Sequence, residues 1–203
     1  VPTLWVAFCE ALRSGSFDFE SLALDLFRYQ ATQVPVYRDF VQLLGIDPKT
    51  VTELALVPFL PVSFFKTHRV ADAQNTTGFC FSSSTTGGGV PSRHYVPDLD
   101  LYNWSFTHAF STFYGSPENY CILGLLPSYL ERSGSSLVYM TESLIRQSRY
   151  PQSNFFLHNF EALYEQLLYN EAQKIPTLLI GVTYALLDFA EQFPMPLHHT
   201  TVM

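Results

Sequence analysis

The chain has 203 residues, 47% hydrophobic and 16% aromatic against only 14% charged, with a formal net charge of -7 and a pI near 5.2. That balance is not that of a disordered chain, and the length fits one large domain or a domain and a half. The acidic balance argues against nucleic-acid binding, which normally shows a basic face, so no nucleic-acid partner is expected.

Cys9, Cys80 and Cys121 are far apart and odd in number. With neither a pairing framework nor zinc spacing, they point to a reducing, cytoplasmic setting and to no metal site of their own. No apolar stretch reaches the roughly 18 residues of a membrane helix. Val1-Pro2-Thr3 lacks the basic region and apolar run of a secretion signal.

In chain order, the first sixty residues read as short amphipathic helices. Leu22, Leu26 and Tyr29 recur at helical spacing, as do Phe40, Leu43 and Leu44 ahead of Gly45. Pro58-Phe59-Leu60-Pro61 breaks that pattern and predicts an extended segment from Val62 to Val70. A strand over Gly78-Phe79-Cys80-Phe81 runs into Ser82-Ser83-Ser84-Thr85-Thr86-Gly87-Gly88-Gly89, and a second short strand follows at Arg93-His94-Tyr95-Val96. Asp98 is placed to cap a helix carrying Leu101, Trp104 and Phe106.

Beyond this point strands and helices alternate. Tyr120 to Leu126, Asn154 to His158 and Thr177 to Val182 read as strands. The segments from Ser135 to Arg146, Glu161 to about Gln173 and Tyr184 to Gln192 read as helices. Short, continuously apolar strands between helices predict an α/β fold, a mostly parallel sheet flanked by helices on both faces. Residues 1–75 form a helical N-terminal region and 76–203 an α/β region, with no clear linker between them. His199 to Met203 starts like a strand after Pro194 and Pro196. It is either a short terminal strand or, as we expect, the edge of a sheet cut by the end of the chain, through which two copies would pair as a homodimer.

The stretch from Ser82 to Pro91 carries the chemistry. Backbone N–H groups in a tight turn form an anion-binding concavity, hydroxyls donate further hydrogen bonds, and glycines let the backbone approach charged oxygens. Arg93 just after it, with Lys66 and Arg69 before its strand, offers charge to offset phosphate. No Gly-Lys-Ser/Thr makes it a Walker A loop, and no Gly-x-Gly-x-x-Gly opens a helix. By composition alone it could equally be a flexible Ser/Gly linker.

Other candidates weigh less. His68 and His94 flank the loop in sequence, as phosphate contacts or as structural hydrogen-bonders. Cys80 is either a thiol acceptor or a small apolar residue of its strand, and Cys121 reads as core. His198 and His199 would point to opposite faces of a strand and so do not share a metal. Ser133, Ser135 and Ser136 around Gly134 form no nucleophile elbow and read as helix caps. Glu131-Arg132 is a solvated ion pair by default.

The order of residues adds a resemblance. Ser82-Ser83-Ser84-Thr85-Thr86-Gly87 resembles the phosphate loop of the adenylate-forming acyl, aryl and luciferase-type synthetases. Several further segments resemble the acyl-protein synthetase (LuxE-like) family: Phe64-Phe65-Lys66-Thr67-His68, Pro91 to Val96, Gly115-Ser116-Pro117-Glu118, Leu125 to Arg132 and Leu179 to Leu187. The likeness runs from Phe27-Arg28-Tyr29-Gln30 to the last residue. Ser84 stands where most relatives carry Gly, and Arg93 roughly where the wider superfamily has Lys.

That resemblance implies the N-terminal portion of an adenylate-forming (acyl-CoA synthetase-like) large domain. It implies ATP and Mg2+ as cofactors, and fatty or other carboxylic acids activated to acyl-AMP. A thiol acceptor would take the acyl group and pass it to an acyl-protein (acyl-CoA) reductase. Ser82, Ser83, Ser84, Thr85, Thr86, Gly87 and Arg93 would bind the ATP phosphates. Pro127, Tyr129, Gly181, Val182 and Tyr184 would line the acyl pocket. The catalytic residues, the magnesium-binding Glu, the C-terminal domain and the acceptor thiol would lie beyond Met203, so this stretch alone is expected to be inactive. The alternatives are a stand-alone nucleotide-binding or interaction module, and an aryl-acid or phenylacetate-type CoA ligase.

Overall fold

The structure is a computed structural model that describes residues 2–73, 78–83, 89–126, 134–157 and 159–203. The chain forms two compact units, Val1–Leu101 and Tyr102–Met203. The division falls well past residue 75, so the strands that flank the loop belong with the helical unit.

In the first unit, α1 (Pro2–Ser14), α2 (Phe19–Gln33) and α3 (Pro35–Leu43) follow one another closely. Asp18 starts α2 by accepting a bond from the Ser21 N–H at 3.0 Å. Val34 ends α2 and also precedes α3, whose first position is Pro35. Proline suits that position because its nitrogen has no proton to satisfy. Leu24, Phe27 and Ala31 of α2 meet Tyr37 and Val41 of α3, together with Val51, in one apolar cluster. Their spacing of three and four puts each set on a single helix face. Two polar bonds fasten the following chain to this core: Arg28 donates to the Val51 carbonyl at 3.0 Å, and Tyr37 to the Pro58 carbonyl at 2.6 Å.

The segment predicted as extended from Val62 to Val70 contains a helical turn instead, α4 (Phe64–Thr67). Turn bonds begin directly after the prolines, from Phe64 N–H to the Pro61 carbonyl at 3.0 Å and from Phe65 N–H to the Val62 carbonyl at 3.2 Å. Proline disfavours helix before itself but supplies a preset φ for a turn that follows. Phe64 is held in the turn by ring contact with Phe40 of α3 at 6.0 Å. Two strands, β1 (Phe79–Ser82) and β2 (Arg93–Val96), then pair antiparallel.

The second unit has a four-stranded parallel sheet in the order β4-β3-β5-β6. Its strands are β3 (Cys121–Leu125), β4 (Asn154–Phe155), β5 (Thr177–Gly181) and β6 (Thr200–Val202). The helices are α5 (Leu99–Tyr114), most of which lies in this unit, α6 (Ser136–Gln147), α7 (Phe160–Ala172) and α8 (Thr183–Gln192). Strand alternation sorts the core into two layers. Cys121, Leu123, Leu125 and Leu179 pack with Leu163 and Leu167 of α7 and with Ala185 and Phe189 of α8. Ile122, Leu126, Leu178 and Ile180 pack with Phe110 of α5 and Leu144 of α6. Full burial of each Leu, Ile or Phe side chain in these layers contributes on the order of 1.5–3 kcal/mol.

The caps follow the sequence. Asp98, Ser135 and Asn159 accept the N–H groups of Leu101, Val138 and Ala162 at 2.9, 3.4 and 2.9 Å. The strand expected from Asn154 to His158 is shorter, because Phe156 makes its last sheet bond to the Gly124 carbonyl at 2.8 Å. The chain then turns, with Asn159 N–H donating to the Phe156 carbonyl at 3.0 Å.

Candidate functional site

The loop after Ser82 is the connection of a β-hairpin, and its neck is fastened by one residue pair. Ser83 N–H donates to the Ser92 carbonyl at 3.0 Å. In return the Ser92 N–H donates to Ser83 Oγ, also at 3.0 Å. Ser84, Thr85, Thr86 and Gly87, with Gly88, lie outside the described residues. Ser82 and Ser83 are exposed at one end of the loop and Arg93 is exposed at the other.

The register sorts the hairpin into two faces. Ser82 pairs with Arg93 and Cys80 with Tyr95, while Phe81 pairs with His94 and Phe79 with Val96. Directly opposed residues share a face and neighbours alternate. Ser82, Arg93, Cys80 and Tyr95 therefore occupy one side, and Phe81, His94, Phe79 and Val96 the other. The Arg69 guanidinium lies 4.3 Å from the centre of the Tyr95 ring, a cation–π contact that holds a second positive charge against this hairpin. Exposed Lys66 sits on α4 next to Phe65, whose ring stacks on His94 at 4.7 Å. Backbone N–H groups and guanidiniums donate to anionic oxygens, and the hydroxyls of Ser82 and Ser83 can donate as well.

His68 and His94, both flanking the loop in sequence, have defined contacts. The His68 ring stacks on Phe64 at 4.9 Å, and its Nδ1 lies 2.8 Å from Thr67 Oγ1. His94 Nε2 lies 3.3 Å from the hydroxyl of Ser92. Ser92 is buried at 8% exposure, and nothing in its sequence context singles it out as the residue that closes the loop.

In the second unit the chain leaves β3 by α6 on one face of the sheet. It returns past β3 to β5 by α7 on the other. Strand order reverses between β3 and β5, and α/β sheets take ligands in the crevice outside the carboxyl ends of strands at such a switch point. Leu125 is in register with Gly181 there. The proposed pocket residues follow these two strand ends. Gly181 closes β5, and a Cβ at that position would meet Leu186 Cγ at 2.8 Å, so only glycine fits the approach of α8. Val182 precedes α8 without a side-chain cap, and no acidic residue stands in the first turn. That helix start is thus electropositive and open to an acceptor. Tyr184 is 66% exposed in the first turn of α8. Pro127 and Tyr129, with Glu131, Arg132 and Ser133, lie outside the described residues, as does His158.

A cavity of about 250 Å³ lies in the first unit, lined by Ala7, Phe8, Ala11, Leu22, Asp25, Leu26 and Tyr29. Its wall is mostly apolar, and the Asp25 carboxylate in it is paired with Arg28 at 2.9 Å. Cys121 is fully buried, and burial raises the pKa of its thiol, a state opposite to that of an acyl-accepting thiolate. The backbone N–H groups of His198 and His199 are bonded to the Glu171 carboxylate. Among the described residues no group of three or more His, Cys, Asp or Glu could hold a metal ion. No helix there is long and apolar enough to cross a membrane. Comparison of the chain with protein-family models, curated proteins and solved structures finds no match.

Proposed function

We propose that this chain is the nucleotide- and acid-binding part of an ATP-dependent acid–thiol ligase of the acyl-protein synthetase type. The observation that carries it is the reciprocal Ser83–Ser92 pair. It presents a hydroxyl- and glycine-rich loop at a hairpin end with Ser82 and Arg93 side by side. The residues of the loop and Arg93 bind the ATP phosphates and orient the α-phosphorus for attack by a carboxylate oxygen, with pyrophosphate leaving. Positioning and charge stabilisation account for such catalysis. Gly181, Val182 and Tyr184, at the carboxyl end of β5, line the acyl pocket, and the sequence adds Pro127 and Tyr129 as candidates for it. When bound, Mg2+ would neutralise charge on the phosphates. A fatty acid is the expected substrate, a thiol the acceptor and an acyl-protein reductase the partner.

ATP binding to the chain, measured by titration calorimetry, tests this. Arg93→Ala, Thr85→Ala and Thr86→Ala are each expected to cost roughly 1–3 kcal/mol, the worth of a hydrogen bond to a charged oxygen. Unchanged affinity in all three would remove the loop from the site.

A further inference from the structure

We propose that His94 is a positioning residue for the loop, a clamp that locks the Ser83–Ser92 neck to α4. Its role toward a ligand rests on the loop being the nucleotide site.

The geometry is a continuous chain of contacts. The His94 ring lies nearly parallel to Phe65 of α4, 18° apart in plane with centres 4.7 Å apart. Its Nε2 meets Ser92 Oγ at 3.3 Å. Ser92 in turn makes both neck bonds to Ser83. Ser92 is nearly closed off from solvent, where water competes poorly for its hydroxyl and a lost partner is felt.

Register explains why one ring influences the anion-binding side. His94 is opposite Phe81 and Arg93 is opposite Ser82, so consecutive residues of β2 face opposite sides of the hairpin. A twist of β2 that lifts His94 from Phe65 must turn Arg93 relative to Ser82. The two ends of the clamp also neighbour the two cations: Lys66 follows Phe65, and Arg93 precedes His94. His94 thus fixes the spacing between a positive charge on α4 and another at the loop mouth without itself touching the ligand.

An aromatic ring that merely packs on Phe65 would be replaced by Phe without effect, because Phe keeps the stack and lacks only the nitrogen that meets Ser92. That difference separates a clamp from ordinary packing. His94 is exposed by residue area, so its variants are expected to keep the fold.

The test compares His94→Phe, His94→Ala and His94→Gln with the parent chain in two measurements. The first, amide hydrogen exchange at Ser83 and Ser92, needs no ligand. The second is ATP affinity. The clamp predicts faster exchange at both amides in His94→Phe and His94→Ala, and affinity weakened about tenfold, the worth of one hydrogen bond. His94→Gln, whose side-chain amide can reach Ser92, should recover most of both. Parent-like exchange in His94→Phe overturns the clamp, whatever the affinities. A parent chain that binds no ATP overturns the nucleotide role of His94 along with that of the loop, while the exchange rates still decide the clamp itself.

Discussion

The side-chain amide of Asn170 donates a hydrogen bond to Thr177 Oγ1 at 3.0 Å, and the two residues are 0% and 1% exposed. Asn170 Oδ1 accepts from the Gln166 side-chain amide at 2.8 Å, and the Thr177 hydroxyl donates to the Ile175 backbone carbonyl at 2.9 Å. This buried polar chain fastens the end of α7 to the first residue of β5. Asn170→Leu removes the donor to Thr177 Oγ1, leaves that hydroxyl only its bond to the Ile175 carbonyl, and is expected to cost roughly 1–3 kcal/mol in urea unfolding. Because the two side chains share a bond, the double variant Asn170→Leu/Thr177→Val should lose less than the sum of the two single losses. A double variant equal to the sum of the two single losses would show that the pair is not coupled.

Gly124 is set by space. A Cβ there would lie 2.7 Å from Phe155 Cδ1 and 3.3 Å from Thr141 Cγ2. Replacing glycine by alanine stabilises by about 0.4–1 kcal/mol through the unfolded chain where the site has room. Overpacking costs about 1–3 kcal/mol, and here it wins. Gly124→Ala should lower the thermal midpoint, and Phe155→Leu in the same chain should restore part of the loss. A raised midpoint in Gly124→Ala would contradict this contact.

Glu171 makes the start of β6 sensitive to acid. Its carboxylate accepts the N–H groups of His198 and His199 at 2.9 and 3.1 Å and the Thr200 hydroxyl at 2.7 Å. Burial pushes its pKa up, but the bonds from Thr200, His198 and His199 and the charge of His199 outweigh that and lower it. A carboxyl with a depressed folded pKa contributes stability that is present above its ordinary value and lost as pH falls through the folded one. Urea midpoints of the parent chain should therefore fall more steeply on acidification than those of Glu171→Gln. Parallel curves would mean that the carboxylate charge does not hold this segment.

The alternation of apolar strands and helices after residue 120 makes the parallel sheet legible. Leu123 and Leu125 face one core layer and Ile122 and Leu126 the other, and a strand apolar on both faces has to lie between helices. The caps at Asp98 and Ser135 are legible for a similar reason, since a hydroxyl or carboxylate before an apolar period has few other uses. What depends on distant pairing is not legible. Strand order, and with it the switch point beside Gly181, is set by which crossovers pack where. Asn170 looks like a surface position in a helix until β5 places Thr177 beneath it. The turn at Phe64 is hidden by the prolines before it, because ring contact with Phe40 decides between turn and extended chain. The hydroxyl-rich loop stands out at once, whereas Ser92 and Tyr95, which hold its neck and its second cation, are ordinary residues in the one-dimensional text.

The most direct test of the nucleotide site is an amide chemical-shift map of the isotope-labelled chain during titration with ATP. Saturable shifts centred on Ser82, Ser83 and Arg93, weakened together in Arg93→Ala, are the expected result. Absence of any saturable shift, or shifts gathered at Ala7, Leu22 and Tyr29 around the α1–α2 cavity with the hairpin unmoved, would contradict it.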